Sequence, residues 1–111
     1  MITLLQYYPY CAGSGGTGGD YVGPWMPYTQ QLGDCEVCVV VNNHNSGTAL
    51  LQLETGVDGV NGIAAGASIS AGALGSQFEA REIEGAMVRL KITAVDAAIM
   101  TLSVYLVPKQ S

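Results

Sequence analysis

Two segments near the C-terminus of this chain alternate apolar and polar side chains with a period of two. In the segment 87–94, the apolar positions of one face are Val88, Leu90, Ile92 and Ala94. In the segment 100–107, they are Met100, Leu102, Val104 and Leu106. Successive side chains of a β-strand point to opposite sides of the sheet, so this is the pattern of strands with one buried face. No long segment carries the 3.6-residue apolar period of a helix, and the chain is therefore predicted to be all-β.

Further strands are predicted between turn-rich segments. They comprise Ile2 to Tyr8, the β-branched run Cys35 to Val41, the segment TALLQLE, a weak strand at Ala67 to Ala71, and Gln77 to Ile83, which alternates through Phe78 and Ala80 and loses phase near Glu82. The segments NNHNSG and TGVDGVNG are rich in turn-forming residues and are predicted to be turns. Six to eight short strands separated by turns indicate a β-sandwich or jelly roll.

The chain has 111 residues, the size of one domain. Residues 1–33 are predicted to form an N-terminal strand followed by a long Gly-rich arm or loop that contains AGSGGTGG, and residues 34–111 to form the sandwich body. Glycine loses much backbone entropy on ordering, and loops of this length are often functional. The aromatic residues in the second half of the arm predict that it is held against its own sheet or against a neighbouring chain.

Charged residues make up only 12% of the chain, about half of the ~25% that is usual for soluble domains. This predicts that other subunits cover much of the surface, and hence a homo-oligomer, although a compact domain with a Thr/Ser/Gly-rich surface fits as well. The net charge of −5, with four basic residues, argues against nucleic acid and anionic membranes as partners. Apolar runs are shorter than the ~20 residues of a spanning helix, and the N-terminus lacks a basic secretory leader, so synthesis in the cytoplasm is expected.

The sequence offers little catalytic or metal-binding chemistry. Cys11, Cys35, Cys38 and His44 are enough in number for a Cys3His zinc site, but Cys35 and Cys38 lie three apart in a predicted strand and would point to opposite faces. We therefore expect reduced thiols buried in the core and a surface histidine in a turn. The scattered carboxylates form no defined acid–base pair, and GSGGTGG lacks the G-K-[ST] ending of a phosphate loop. No catalytic residue, metal or cofactor is predicted, and the chain is not expected to be an enzyme.

The candidate binding residues lie in the predicted arm and are Tyr21, Trp25, Met26 and Tyr28. Aromatic side chains bury large apolar areas, so these residues are predicted to contact a partner protein. Two alternatives remain open for the same residues. They could stack on a sugar, or they could anchor the arm on the chain's own sandwich.

Three pieces of the chain carry a resemblance to a known group of proteins: Ser46 to Leu53, Asp58-Gly59, and Met87 to Val107. Their order resembles that of small, jelly-roll-like β-sandwich structural proteins of tailed bacteriophages, in which a phrase like "sGTatvqle.s.DG" precedes an ending like "yr.vRvkvta...gt.tvyLv". A similar pattern occurs in discoidin-like carbohydrate-binding sandwiches. This chain lacks the dense set of aromatic and arginine residues that those proteins carry on their loops.

The resemblance implies a virion structural protein of the capsid decoration or cement type. Such a protein is made in the host cytoplasm and binds the major capsid protein or other virion proteins, and trimers are common in the resembling group. A head–tail adaptor, tail or spike-base component is the first alternative. A carbohydrate-binding sandwich module is the second.

Overall fold

The computed structural model describes residues 2–11, 20–28, 33–83 and 85–108, which form ten β-strands and no helix. The strands are β1 (Ile2–Cys11), β2 (Tyr21–Val22), β3 (Met26–Pro27), β4 (Gly33–Ser46), β5 (Ala49–Gly56), β6 (Ile63–Ala64), β7 (Ile69–Ala71), β8 (Gly75–Ile83), β9 (Met87–Ala94) and β10 (Ile99–Pro108). Within the described ranges, no helix is long and apolar enough to cross a membrane. The prediction of an all-β chain is confirmed.

The strands form two antiparallel sheets that pack as a sandwich. Sheet I has the order β1-β10-β4-β8. Sheet II has the order β2-β9-β5-β6, with β3 also paired to β9 and β7 to β5. If β2 with β3 and β6 with β7 each count as one interrupted strand, the chain is a long hairpin whose two arms pair throughout and which is wound into two sheets. This is the jelly-roll arrangement, and residues 57–62 are the tip of the hairpin.

The core lies between the sheets and consists of the inward positions of the alternating strands. The inward residues of β9 and β10 are the ones that the alternation predicts, and all of them except the partly buried Ala94 are at most 2% exposed. Sheet I adds the inward side of β4, with Cys35, Val37, Val39 and Val41. Burial of such side chains contributes roughly 1.5–3 kcal/mol each, which makes this core the main source of stability.

Part of the predicted N-terminal arm belongs to the sandwich. β1 is an edge strand of sheet I, paired with β10, and it places Leu5 and Tyr10 in the core. Farther along, Tyr28 is also buried in the core. The Gly-rich segment 12–19 and the segment 29–32 lie outside the described residues, so the hypothesis that an arm reaches across neighbouring subunits stays a prediction.

Two sequence predictions are wrong in detail. NNHNSG is not a turn, because β4 continues through it to Ser46, and bulges in the pairing with β10 accommodate the polar residues. The chain turns at Gly47 instead, whose φ is 76°, and a Cβ there would approach Ala98 Cα to 2.6 Å. β8 keeps one unbroken register with β4 from Gly75 to Ile83, so the phase does not change near Glu82.

Candidate functional site

The four residues predicted to bind a partner contact the chain's own sandwich. Tyr28 is 3% exposed, and Met26 packs against the core beside its pairing partner Val88. The Tyr21 ring lies 4.9 Å from that of Tyr8, which joins the edges of the two sheets on one side of the sandwich. Burial raises the pKa of the Tyr28 hydroxyl, and the Cys35 thiol raises it further. A role of these residues in binding a partner stays a prediction.

Trp25 lies on the outer side of sheet II, where two glycines leave room for it. A Cβ on Gly62 would approach Trp25 Cη2 to 3.0 Å, and one on Gly56 would approach it to 3.1 Å. The Arg89 guanidinium carbon lies 4.5 Å from the Trp25 ring centroid, and Arg89 Nε donates to Glu54 Oε1 at 2.7 Å. Trp25, Arg89 and Glu54 are named here the Trp25 clamp. It fastens the segment 20–28 to sheet II.

The expectation of buried core thiols is correct for Cys35 and wrong for the other two cysteines, because Cys11 is exposed and Cys38 is half-buried. Cys35 points into the core and Cys38 points outward, so the two thiols lie on opposite faces of sheet I. Burial, and secondarily Glu36, raise the pKa of the Cys38 thiol, which keeps it protonated at neutral pH. His44 Nε2 lies 2.9 Å from the Gly47 carbonyl oxygen. Over the described ranges, no three His, Cys, Asp or Glu side chains come together as a group that could hold a metal ion.

The outward side of sheet I has an apolar centre among polar and acidic positions. One register row crosses all four strands and consists of Phe78, Cys38, Tyr105 and Thr3. Val40 and Val107 lie in the adjacent rows on the same side. Phe78 is the only phenylalanine in the chain, and it is 61% exposed. These positions are named here the outer face of sheet I.

Among the described residues, acidic side chains lie beside this apolar surface and basic side chains do not. Glu36 and Glu82 occupy outward positions of β4 and β8. The basic side chains that the structure describes lie elsewhere. Arg81 turns towards the edge of the sandwich and donates to the Ala67 carbonyl oxygen, while Arg89 and Lys91 lie beside Glu54 on sheet II. Counting only the side chains in the described ranges, the two outward faces of the sandwich therefore differ in charge.

A strained residue borders the outer face of sheet I. Tyr7 has a φ of 50°, in the left-handed region that a non-glycine side chain rarely adopts, and it is 64% exposed. Its backbone N–H donates to Ser103 Oγ, which in turn donates to Asn42 Oδ1. A bulge in β1 thus lies over the outward side of β10 and buries Ser103. Such outliers concentrate at functional positions.

A cavity of about 650 Å3 opens on the side of the sandwich between β8 and β6. Its walls are mostly small or apolar, and two of its charged side chains, Arg81 and Asp58, are bonded within the chain, while Glu82 also lines it. Arg81 donates to Ala67 O, and Asp58 accepts hydrogen bonds from the backbone N–H groups of Val60 and Asn61. These bonds lower the pKa of Asp58 to about 2. The cavity therefore presents few free polar groups with which to select a ligand.

No protein-family model matches this chain, and no curated protein matches it. The functional argument therefore depends on the fold and its surfaces.

The outer face of sheet I was not identified from the sequence, because Phe78 and Ala80 look like inward residues of their strand. The register shows instead that Gln77, Glu79 and Arg81 have the inward positions of this edge strand. The polar character of those three alternate residues was the available signal.

Proposed function

We propose that this protein is a virion structural protein of the capsid decoration type, which acts by protein–protein contact and without catalysis. It binds the major capsid protein or another virion protein and stabilises the particle. The proposal extends the resemblance of Ser46 to Leu53 and Met87 to Val107 to phage structural sandwiches.

The observation that carries the proposal is the amount of exposed apolar surface on a weakly charged sandwich. Ten large apolar side chains are exposed in the described ranges, although charged residues are only 12% of the chain. Single exposed apolar residues are ordinary, but a surface with this many and so few charges suits a protein that is covered in its working state.

The jelly-roll topology supports the same proposal at the level of the fold. Two-sheet jelly rolls are used in viral capsid and lectin domains. A fold by itself does not identify a function, so this support is an analogy. Within the described part of the chain, no three His, Cys, Asp or Glu side chains form a group that could hold a metal ion, and Arg81 and Asp58, which line the cavity beside β8, are bonded internally.

Quantitative mass spectrometry of purified particles tests the proposal. Particles are prepared from the lysate that encodes this chain, and its copy number is measured relative to the major capsid protein. Hundreds of copies per particle are expected for a decoration protein. About a dozen copies or fewer would indicate a component of the neck, tail or spike base. Absence of the protein from particles would overturn the virion proposal.

A further inference from the structure

We infer that the β8 edge, which is the side of β8 that does not face β4, pairs with the same edge of a second copy of this chain. The two strands run antiparallel about a two-fold axis at Ala80. Sheet I then continues from one copy into the other, and its four strands become eight. This inference goes beyond the proposed function and does not depend on it, because such a dimer can form outside a particle.

Among the described strands, β8 is the one edge of the sandwich that is both long and regular. The two ends of sheet II carry strands of two or three residues. The other edge of sheet I, β1, is interrupted by two register shifts and by the positive φ of Tyr7. Short strands and bulges protect an edge from pairing with other chains. β8 has neither device, since its nine residues keep one register with β4 from Gly75 to Ile83.

The charges of β8 complement one another about Ala80. When two β8 strands pair with Ala80 at the centre, Glu79 of each copy lies directly opposite Arg81 of the other. Directly opposed residues of an antiparallel pair have Cβ atoms about 4.5–5.5 Å apart, which is close enough for their side chains to form ion pairs. The pairing therefore places two ion pairs across the axis.

Other two-fold registers lack this match. Directly opposed side chains lie on the same side of a sheet, so a two-fold pair of β8 strands must centre on a single residue. A centre at Glu79 opposes two carboxylates, and a centre at Arg81 opposes two guanidinium groups, which is destabilising. Centres farther from Ala80 leave Arg81 with no charged residue opposite it. The charges thus select one register.

Within one copy, the two charges already lie together at the β8 edge. Arg81 Nη1 is 3.9 Å from Glu79 Oε1, and Arg81 Nε and Nη2 both donate to the Ala67 carbonyl oxygen. The inference needs neither charge to be unpaired, because pairing alternates the signs and gives each charge a second neighbour of opposite sign. Inward polar residues protect an edge against strands without matching charges, so this edge selects its own copy.

Exposed apolar side chains on the same side of the sandwich give the second copy more to cover. The cavity between β8 and β6 is lined by Val57 and Ile63, which are 78% and 74% exposed. The two-fold axis is perpendicular to sheet I, so this side of one copy faces the same side of the other. The burial of these side chains adds to the attraction between the strands.

The size of the contact indicates a dimer of moderate affinity. Residues 77–83 pair in each copy, which gives a contact ~24 Å long. The shortest dimension of the molecule is 20 Å, so the contact covers on the order of 500 Å2 on each copy. This is less than the ~800 Å2 per partner of a standard interface, and a dissociation constant in the micromolar range is expected.

Sedimentation equilibrium of the purified chain over a concentration series is the first test. The average mass should rise from 11.5 kDa towards twice that value as the concentration increases. A mass that stays at 11.5 kDa up to about 1 mM, or one that converges on three copies, would overturn the inference.

Two charge-reversing variants test the register. Glu79→Lys opposes two cations on both sides of the axis and Arg81→Glu opposes two anions, so each variant alone should dimerise at least about tenfold more weakly than wild type. An equimolar mixture of the two should dimerise like wild type, because every introduced charge then faces its opposite. Glu82→Lys is the matched control. It lies opposite Phe78, so it should change dimerisation less than about threefold and should not restore pairing to Arg81→Glu.

The mixture also reports whether the variants fold, together with their melting temperatures. If both variants melt cooperatively and their mixture stays monomeric, the register is wrong. Dimerisation of either single variant at the wild-type strength would contradict the role of Glu79 and Arg81.

A disulfide across the axis tests the register in a variant that keeps every charge. In a chain with Cys11→Ser, which removes the exposed thiol, Ala80→Cys places two thiols directly opposite each other at a separation that a disulfide can span. Glu82→Cys is the control, because its two copies lie about 14 Å apart in this register. Both positions are exposed. Oxidation should link Ala80→Cys at least about tenfold faster, and equal rates would refute the pairing.

These measurements use purified protein, so their outcome is separate from the copy number in particles. If the chain dimerises through β8 and is absent from particles, the dimer stands and the virion proposal fails. If the chain is abundant in particles and its sedimentation is that of a monomer, the virion proposal stands and the β8 dimer is overturned.

Discussion

At the scale of single residues, Thr55 shows how one hydroxyl joins two parts of the fold. It is buried, its Oγ1 accepts a hydrogen bond from the Gly85 N–H at 2.8 Å, and it donates to the Met87 carbonyl oxygen at 3.2 Å. Thr55→Val keeps the shape of the side chain and leaves the buried Gly85 N–H without that acceptor. We expect a loss of about 1–3 kcal/mol in the free energy of unfolding, measured by urea denaturation. Thr93→Val, at an exposed position of β9, is the control and should change stability by less than about 0.5 kcal/mol.

Asp58 is a single residue whose contribution to stability is predicted to depend on pH. Hydrogen bonds from the Asn61 and Val60 backbone N–H groups and from the Asn61 side chain lower its pKa to about 2. In the unfolded chain an aspartate titrates near ~3.9. The contribution of the carboxylate to stability is therefore complete above about pH 5 and is lost as the pH falls through about 2.

Two measurements check the behaviour of Asp58. An NMR titration of its carboxyl carbon should give a midpoint near 2. Wild type should melt above Asp58→Asn at pH 6, and the gap should close below about pH 2, because both side chains are then uncharged. A gap that does not change with pH would mean that the charge of Asp58 contributes nothing to stability.

At the scale of elements, the Trp25 clamp explains how two very short strands, β2 and β3, stay on sheet II. Arg89 lies over the Trp25 ring and bonds to Glu54, so Arg89→Met removes both interactions and leaves a half-buried carboxylate poorly compensated. The variant is expected to lose about 1–3 kcal/mol of stability. Because Trp25 is the only tryptophan, its fluorescence reports this site directly, and its emission should shift to longer wavelength as solvent reaches the ring.

Lys91→Met is the matched control for the clamp. Lys91 Nζ lies 3.8 Å from Glu54 Oε2 and is more exposed than Arg89, so its removal should cost no more than about 0.5 kcal/mol and leave the emission maximum unchanged. If the two variants had the same effect, the segment would depend only on a cation beside Glu54, from whichever residue. The contact between Arg89 and the Trp25 ring would then contribute nothing.

The elements also differ in how well the sequence predicts them. β9 and β10 are predicted correctly because one side of each is buried and the other is not, so their side chains alternate. β8 is an edge strand whose inward positions carry Gln77, Glu79 and Arg81, and polar inward residues are a known protection of sheet edges. Its alternation therefore suggests the wrong face. The extension of β4 through Asn42 to Ser46 depends on bulges opposite β10, which local sequence preferences do not reveal.

At the scale of the whole molecule, the winding of the chain makes its two ends interdependent. The first strand pairs with the last, and the same hairpin pairing continues inwards to the tip at residues 57–62. Pairings this distant in sequence must overcome a large loop-closure entropy before they contribute energy, so folding is expected to be slow for a domain of this size. The sequence predicted a sandwich, but it contains no local signal for which strands are neighbours, because that order is fixed by the global winding.

Removal of residues 1–11 tests this view of the molecule, and also whether the N-terminal part is a separable arm. The truncation removes Leu5 and Tyr10 from the core and uncovers the edge of β10. Losing large core side chains costs about 2–5 kcal/mol each, while a whole domain is stable by only about 5–15 kcal/mol. We expect no cooperative urea transition in Trp25 fluorescence, and aggregation through the unpaired edge of β10.

Leu5→Ala in the full chain is the control for that truncation, because it removes one core contact and keeps the strand. Its urea transition should stay cooperative, and its free energy of unfolding should fall by about 2–4 kcal/mol. Addition of a synthetic peptide of residues 1–11 should restore a cooperative transition to the truncated chain, because β1 contributes through its pairing with β10 and through its two core side chains. A truncated chain that unfolds cooperatively at the wild-type midpoint would show instead that the sandwich is complete without β1. The N-terminal residues would then be free to act on a neighbouring subunit.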